Sequence, residues 1–415
     1  MSCSVILLSV PFESSAQVDQ RVMSSVESER DAMIETMREL VSIESGSRDP
    51  EGLERIAEVI AERLRALGGA VELVSHDNPY EMVDTPAVIG RTVVGTFRGR
   101  GEGRILLLAH MDTVYLRGDL ENQPFRIADG RAYGLGIADD KNGVALILHV
   151  LSALRRLQFD DYERITVLIN GDEEVSSAGS RTLITKLGAD HDVVLSCEGG
   201  GTNDRVALTT AGIGAVLLSV TGRAAHAGSA PEQGVNALYE LAHQILQMSD
   251  LTDTDAGVKL NWTIADAGET RNVIPSNATA TADFRVLRVS GYDRIEQVVR
   301  ERIQKQLIPE ASVEVSFERR RPPLEMSVAS RSLADHAVSI YGEMSRKLRV
   351  SDQARGGGTD AAFAGLESTA AVIEGFGLIG FGAHSDNREY VELESMVPRL
   401  YLLTRLIMDI GAGKT

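Results

Sequence analysis

Apolar residues recur along the chain with two different periods. Met33, Met37, Leu40 and Val41 repeat at helical spacing within the stretch from about Val18 to Ser42. Leu53 to Leu67 repeats that pattern, and Gly68 and Gly69 stop it. The texture then changes. Short continuous apolar runs at Arg104–Ala109, Ile165–Ile169 and Val193–Ser196 have the length and content of buried strands. Helical patterns at Asn142–Leu154 and Ser180–Leu187 separate them. Strands alternating with helices predict an α/β fold with a mostly parallel sheet flanked by helices.

Beyond Ala211 the pattern shifts again. Gly214–Thr221 alternates like a strand with one exposed face, and Asn236–Met248 reads as an amphipathic helix. Ala278–Leu287, Tyr292–Gln306 and Val313–Phe317 follow as strand, helix and strand. The order strand–helix–strand–strand–helix–strand predicts a small α+β sandwich of ferredoxin-like type. From Leu324 the α/β character returns, and the chain closes with an apolar helix from Ser395 to Ile410. The expected division is a tail or remnant signal over 1–20, an α/β domain built from 21–211 and 324–415, and an inserted α+β domain over 212–323.

The length of 415 residues suits two or three domains of roughly 150 residues each. Lys and Arg total 42 against 60 Asp and Glu, a formal net charge of −18. Such a surface repels a phosphate backbone, so no nucleic-acid partner is expected. Two cysteines, Cys3 and Cys197, exclude a disulfide framework and a thiolate metal site. No run of about 18 apolar residues suggests a membrane span. Ser4–Phe12 is mildly apolar and Ser14, Ser15 and Ala16 are small, but no Lys or Arg precedes Arg21. A truncated upstream signal would place the protein in the periplasm or outside the cell; without one it belongs in the cytoplasm.

The chemistry sits where the strand patterns end. His110 follows the first run, Glu173 and Glu174 the second, and Glu198 the third. Ligands of open α/β sheets gather at the carboxyl ends of strands. Asp139 and Asp140 precede a helix, and His384 stands far downstream in Gly-Ala-His-Ser-Asp. Each alone has a plain structural reading: a satisfied strand-end imidazole, a helix N-cap, a solvated loop. Together they make a mixed N/O donor set suited to Zn²⁺ or a similar divalent ion. Buried carboxylates in such number would be costly without cations.

Six stretches carry a resemblance. They are HMDTVYLRG from His110, GIADDKNG from Gly136, DEE from Asp172, AAHAGSAPEQGVNAL from Ala224, GGGTDAAF from Gly356 and GAHSDNREYV from Gly382. With them the chain, from about residue 35 to its end, resembles the zinc-dependent exopeptidases of the aminoacylase/glutamate carboxypeptidase family. Within that family it is most similar to the folate-hydrolysing glutamate carboxypeptidases.

The resemblance implies a zinc-exopeptidase-like catalytic domain and an inserted dimerisation domain. It implies two Zn²⁺ ions, with Co²⁺ and Mn²⁺ tolerating the same ligands. Asp139 would bridge them, His110 and Glu198 would complete one site, and Glu174 and His384 the other. Glu173 would be the general base for a water between the metals, and Asp112 would fix the His110 tautomer. The Asp139–Asp140 peptide would be cis. Glu173 and Glu174 are adjacent, and as strand-end residues they would point to opposite sides and so take different roles. His226 would reach the active site of a partner subunit and stabilise the oxyanion. Arg205, Asn272, Arg285 and Arg321 would bind substrate carboxylates, with Arg205 standing where relatives carry a lysine. Gly357 and Gly358 would let backbone approach the substrate. Gly199, Gly200 and Gly201 replace a Pro-containing turn after Glu198, and Arg319 and Arg320 add to the basic run before Arg321.

The implied function is a dizinc homodimeric metallo-carboxypeptidase that cuts the amide bond to a C-terminal amino acid, glutamate foremost, in folate-type or other small N-acyl substrates. The alternatives are an N-acyl-amino-acid amidohydrolase or dipeptidase that prefers another residue, and a catalytically silent metal-binding scaffold. The presence of Glu173 argues against the last.

Overall fold

The structure is a computed structural model that describes residues 17–354, 356–385 and 388–414. Residues 1–16, which hold most of the expected tail or signal segment, lie outside the described residues. Two helices, Gln20–Glu27 and Arg30–Val41, replace the single helical stretch expected over 18–42. Asp19 caps the first by accepting the Arg21 and Val22 amides. The helix Pro50–Ala66 starts on the Asp49 cap and ends before Gly68, whose φ of +101° only glycine adopts readily.

The first sheet uses β1 (Ala70–Val74), β2 (Gly90–Arg98), β3 (Arg104–His110), β4 (Arg164–Gly171) and β5 (Val193–Ser196). The second uses β6 (Gly212–Thr221), β7 (Val258–Ala267), β8 (Asn277–Val286) and β9 (Ser312–Arg321). A final strand, β10 (Ala371–Ile373), returns to the first sheet. Its order is β1-β2-β4-β3-β5-β10, with β4, β3, β5 and β10 parallel and β1 and β2 antiparallel at one side.

The apolar runs are continuous because both faces of this sheet are covered. Successive side chains go to different cores: Ile105, Leu107, Val167 and Leu195 to one, and Leu106, Leu108, Leu168 and Val194 to the other. Each such side chain contributes roughly 1.5–3 kcal/mol by leaving water. β1 and β2 carry no such run. β1 has no buried residue and β2 interrupts its buried residues with partly exposed ones, and the sequence pattern passes over them.

The second sheet is antiparallel in the order β7-β8-β6-β9. Helices Ala237–Gln247 and Ser290–Arg302 complete the strand–helix–strand–strand–helix–strand order. Its core is separate, built on Val216, Leu218, Val220, Ala282 and Phe284. β7 is the strand to which the sequence pattern assigns no range: it lies at the sheet edge, and six of its ten residues are exposed, four of them in a row. No helix among the described residues is long and apolar enough to cross a membrane.

Candidate metal centre

Parallel register brings the acidic and imidazole residues to one edge. His110 lies opposite Asn170, three residues before Glu173. Leu108 lies opposite Ser196, so His110 and Glu198 follow at the same level. The Asp139–Asp140 peptide is cis, as expected, and the helix Asn142–Arg156 begins just beyond it.

Asp139 stands between two imidazoles. Its Oδ1 is 2.9 Å from His110 Nε2 and its Oδ2 is 3.2 Å from His384 Nε2. His384 Nε2 is also 3.1 Å from Glu174 Oε2. Two triads result, His110–Asp139–Glu198 and Asp139–Glu174–His384, each with ligand atoms within 4.8 Å of one another. His110 Nδ1 faces the Asp112 backbone oxygen at 3.1 Å, which orients the ring. The buried Asp112 carboxylate accepts the Glu173 and Glu174 amides, both at 3.0 Å, and the Ser47 hydroxyl at 2.7 Å.

Glu173 and Glu174 do have different surroundings, but not because of strand alternation. β4 ends at Gly171, and Glu173–Val175 is a 3-10 turn held by the bonds to Asp112. The turn sends Glu174 to His384 and Glu173 to Arg321.

The electrostatics identify what this cluster lacks. Burial pushes the Glu173, Glu174 and Glu198 carboxyls above their usual value, and neighbouring carboxylates push them further. The Asp139 and Glu174 carboxylates hold the His384 imidazole up to about 10. Burial alone would lower His110, yet Asp112 and Asp139 hold it well above the ordinary imidazole value. Carboxylates that crowd one another and trap protons on two imidazoles make a donor set that fits two divalent cations, with Asp139 shared.

Of the other expected residues, Arg321 joins this cluster. It is only 4% exposed, and its Nη1 lies 2.6 Å from Glu173 Oε1 and 3.2 Å from Asp360 Oδ1. Its neighbours in the basic run turn elsewhere: Arg319 pairs with Asp293 and Glu296, and Arg320 with Asp84 and Glu318. Arg285 ties the second sheet to the glycine-rich loop, donating to the Gly356 carbonyl at 2.9 Å while bonding Asp283. Arg205 lies against Gly201, in the loop that follows Glu198.

Gly357 accepts the Ala211 amide on its carbonyl. A Cβ at Gly358 would come within 2.7 Å of Arg321 Cδ and 2.9 Å of the Ala211 oxygen. The space that this glycine leaves is therefore taken by Arg321 and Ala211.

The hydrogen bonds described for His226 stay within its own loop. His226 is exposed, and its Nδ1 accepts the Gly228 and Ser229 amides, each at 3.1 Å. The neutral ring thus carries its hydrogen on Nε2. Asn272 lies beside it, accepting the Ala227 amide on its backbone carbonyl.

Three residues at this edge are absent from the sequence reading. Asp360 accepts Arg321 and Asn170, Tyr115 donates to Glu389, and Glu389 accepts the amides of the Asp139 loop. Each lies inside a stretch that carries the resemblance, which was the only signal available.

The fold and this cluster define a hydrolytic metal site, and the comparisons agree. Residues 106–409 match the model of peptidase family M20/M25/M40. The chain is 43% identical over 397 residues to carboxypeptidase G2 of Pseudomonas sp. (strain RS-16), covering 95% of this chain and 93% of that protein. Among solved structures it is similar to aminopeptidase PepT from Bacillus cereus ATCC 10987, with a TM-score of 0.74 and 20% identity over 92% of this chain and 98% of that one. It is also similar to the M20 family metallo-carboxypeptidase Sso-CP2 from Sulfolobus solfataricus, with a TM-score of 0.73 and 16% identity over 92% and 99% of the two chains. These two likenesses are of fold. The chain belongs to peptidase family M20/M25/M40, as a metallo-exopeptidase of the glutamate carboxypeptidase type.

Proposed function

We propose that this enzyme removes a C-terminal glutamate from folate-type and other N-acyl substrates, as a homodimer loaded with two zinc ions. The observation that carries the reading is the sharing of Asp139 between the His110 and His384 triads. Two divalent cations held there would polarise the scissile carbonyl and acidify the attacking water. Glu173 takes the proton of that water and returns it to the leaving nitrogen. Arg321 holds the Glu173 carboxylate in one orientation during both transfers. Arg205, Arg285 and Asn272 provide the charge and polarity to recognise the glutamate carboxylates.

The inserted domain serves as the dimerisation surface. Its edge strand β7 exposes Ile264, and the helix Ala237–Gln247 exposes Tyr239 and Leu246, apolar groups that a two-fold pairing would cover. His226 of a second copy then donates its Nε2 hydrogen to the substrate oxygen as charge develops.

The test is glutamate release from folate and methotrexate by the purified protein, with and without chelator, beside an acyl-leucine substrate. Chelator-sensitive release of glutamate supports the reading. Faster release of leucine would make the enzyme an amidohydrolase or dipeptidase of different preference, and no hydrolysis of any substrate would leave a silent scaffold.

A further inference from the structure

We propose that Glu389 is a positioning residue for the metal centre, and that with Tyr115 it clips together three of the chain segments that deliver ligands, those of His110, Asp139 and His384. The inference rests on the metal-site reading above. His110, Asp139 and His384 come from separate segments, the end of β3 and two stretches outside the strands, so something must fix these segments relative to one another before the ligand atoms can converge. Glu389 is 2% exposed and lies five residues beyond His384. Its Oε1 accepts the Ala138 amide at 2.7 Å and the Asp139 amide at 3.1 Å. Its Oε2 accepts the Gly136 amide at 3.0 Å and the Tyr115 hydroxyl at 2.7 Å. Tyr115 lies five residues beyond His110, and its hydroxyl is also 3.3 Å from the Ser385 carbonyl, next to His384.

Four donors thus converge on one buried carboxylate, and they come from the His110 and Asp139 segments. The carboxylate itself belongs to the His384 segment. An ionised carboxylate suits this place because it has two accepting oxygens and no hydrogen. A glutamine would turn an N–H toward at least one amide N–H. Because Asp139 serves both triads, slack in its loop reaches both cations. Partners of this kind, one bond removed from the ligands, typically change metal affinity ten- to a hundredfold.

The experiment uses the full chain, stripped with chelator and titrated with Co²⁺, and with Zn²⁺ against a chelating dye. The variants are Glu389→Gln and Tyr115→Phe. Wild type should take up two ions per chain. Glu389→Gln should bind both about ten- to a hundredfold more weakly and alter the visible Co²⁺ bands, with the metal-free melting temperature little changed. Wild-type affinities and bands in a folded Glu389→Gln protein would overturn the clip. So would a lower metal-free melting temperature with unchanged affinities, since that is a structural role alone. If Glu389→Gln does not fold, Tyr115→Phe decides: weaker binding supports the clip and unchanged binding overturns it. Failure of the wild type to bind either ion would overturn the metal-site reading itself, a result distinct from failure of the clip.

Discussion

Arg321 meets Glu173 twice, once at the side chain and once at the backbone. Nη1 is 2.6 Å from Glu173 Oε1, and Nη2 donates to the Glu173 carbonyl oxygen at 2.6 Å. Asp360 holds the same guanidinium from the other side at 3.2 Å. Two points of attachment fix both the Glu173 rotamer and the turn that carries it. A planar guanidinium does this where an ammonium cannot.

Replacing Arg321 should therefore cost both stability and rate. Arg321→Met leaves the Glu173 and Asp360 carboxylates buried without their cation, which should cost about 3–5 kcal/mol in denaturant unfolding. The turnover number should fall by about 100-fold or more as the base loses its orientation. Arg321→Lys should lie between the two. Unchanged turnover in the lysine variant would mean that the double contact does not position Glu173.

The proposed trans role of His226 is tested by mixing two impaired proteins. Glu173→Gln and His226→Ala homodimers should each be impaired. In a mixed dimer, one of the two sites pairs an intact Glu173 with an intact His226. Random re-association should restore roughly a quarter of wild-type activity. No recovery, from subunits shown to exchange, would place His226 outside the partner's site.

Removal of the cations should lower stability as well as activity. A ligand that binds only the folded chain stabilises it by about 2.7 kcal/mol per site at 100 times its Kd. That affinity includes the relief of crowding among the buried Glu173, Glu174 and Glu198 carboxyls. Thermal melts with and without chelator should differ by several degrees. A melting temperature indifferent to chelator would count against bound cations.

Acid stability has a contributor far from the site. Burial alone would raise the Glu29 carboxyl, but hydrogen bonds to His149, Arg156 and Ser152 outweigh it and hold the group below its ordinary 4.5. A depressed carboxyl stabilises the fold above its unfolded-state value and loses that contribution as pH falls through the folded-state value. Glu29→Gln should therefore lower stability at neutral pH and flatten its decline below about pH 4.5. Parallel wild-type and variant curves of unfolding free energy between pH 3 and pH 7 would refute this.

What the sequence made legible follows from range. The buried strands and the helices between them are local signals, and so are the acids and imidazoles at the strand ends. β1 and β2 were not legible: the edge strand β1 is partly or fully exposed along its length, and β2 mixes buried and partly exposed residues, so neither carries a continuous apolar run. The Glu173–Glu174 pair was legible as chemistry but not as shape. The bonds that make its turn come from Asp112, more than sixty positions earlier in the chain. Glu389 was the hardest to see. Three of its four donors are backbone amides, which every residue but proline has, so those partners leave no mark in side-chain chemistry.

The order of the strands has a consequence for how the enzyme is made. β10 closes the first sheet beside β5, yet the whole second sheet is synthesised between them. His384 emerges later still. A nascent chain can complete the second sheet, with its separate core, while the first still lacks an edge and one imidazole. The Asp139–Glu174–His384 triad is therefore completed only after the strands of both sheets have been made, so a nascent chain carries both sheets before it carries the full candidate ligand set.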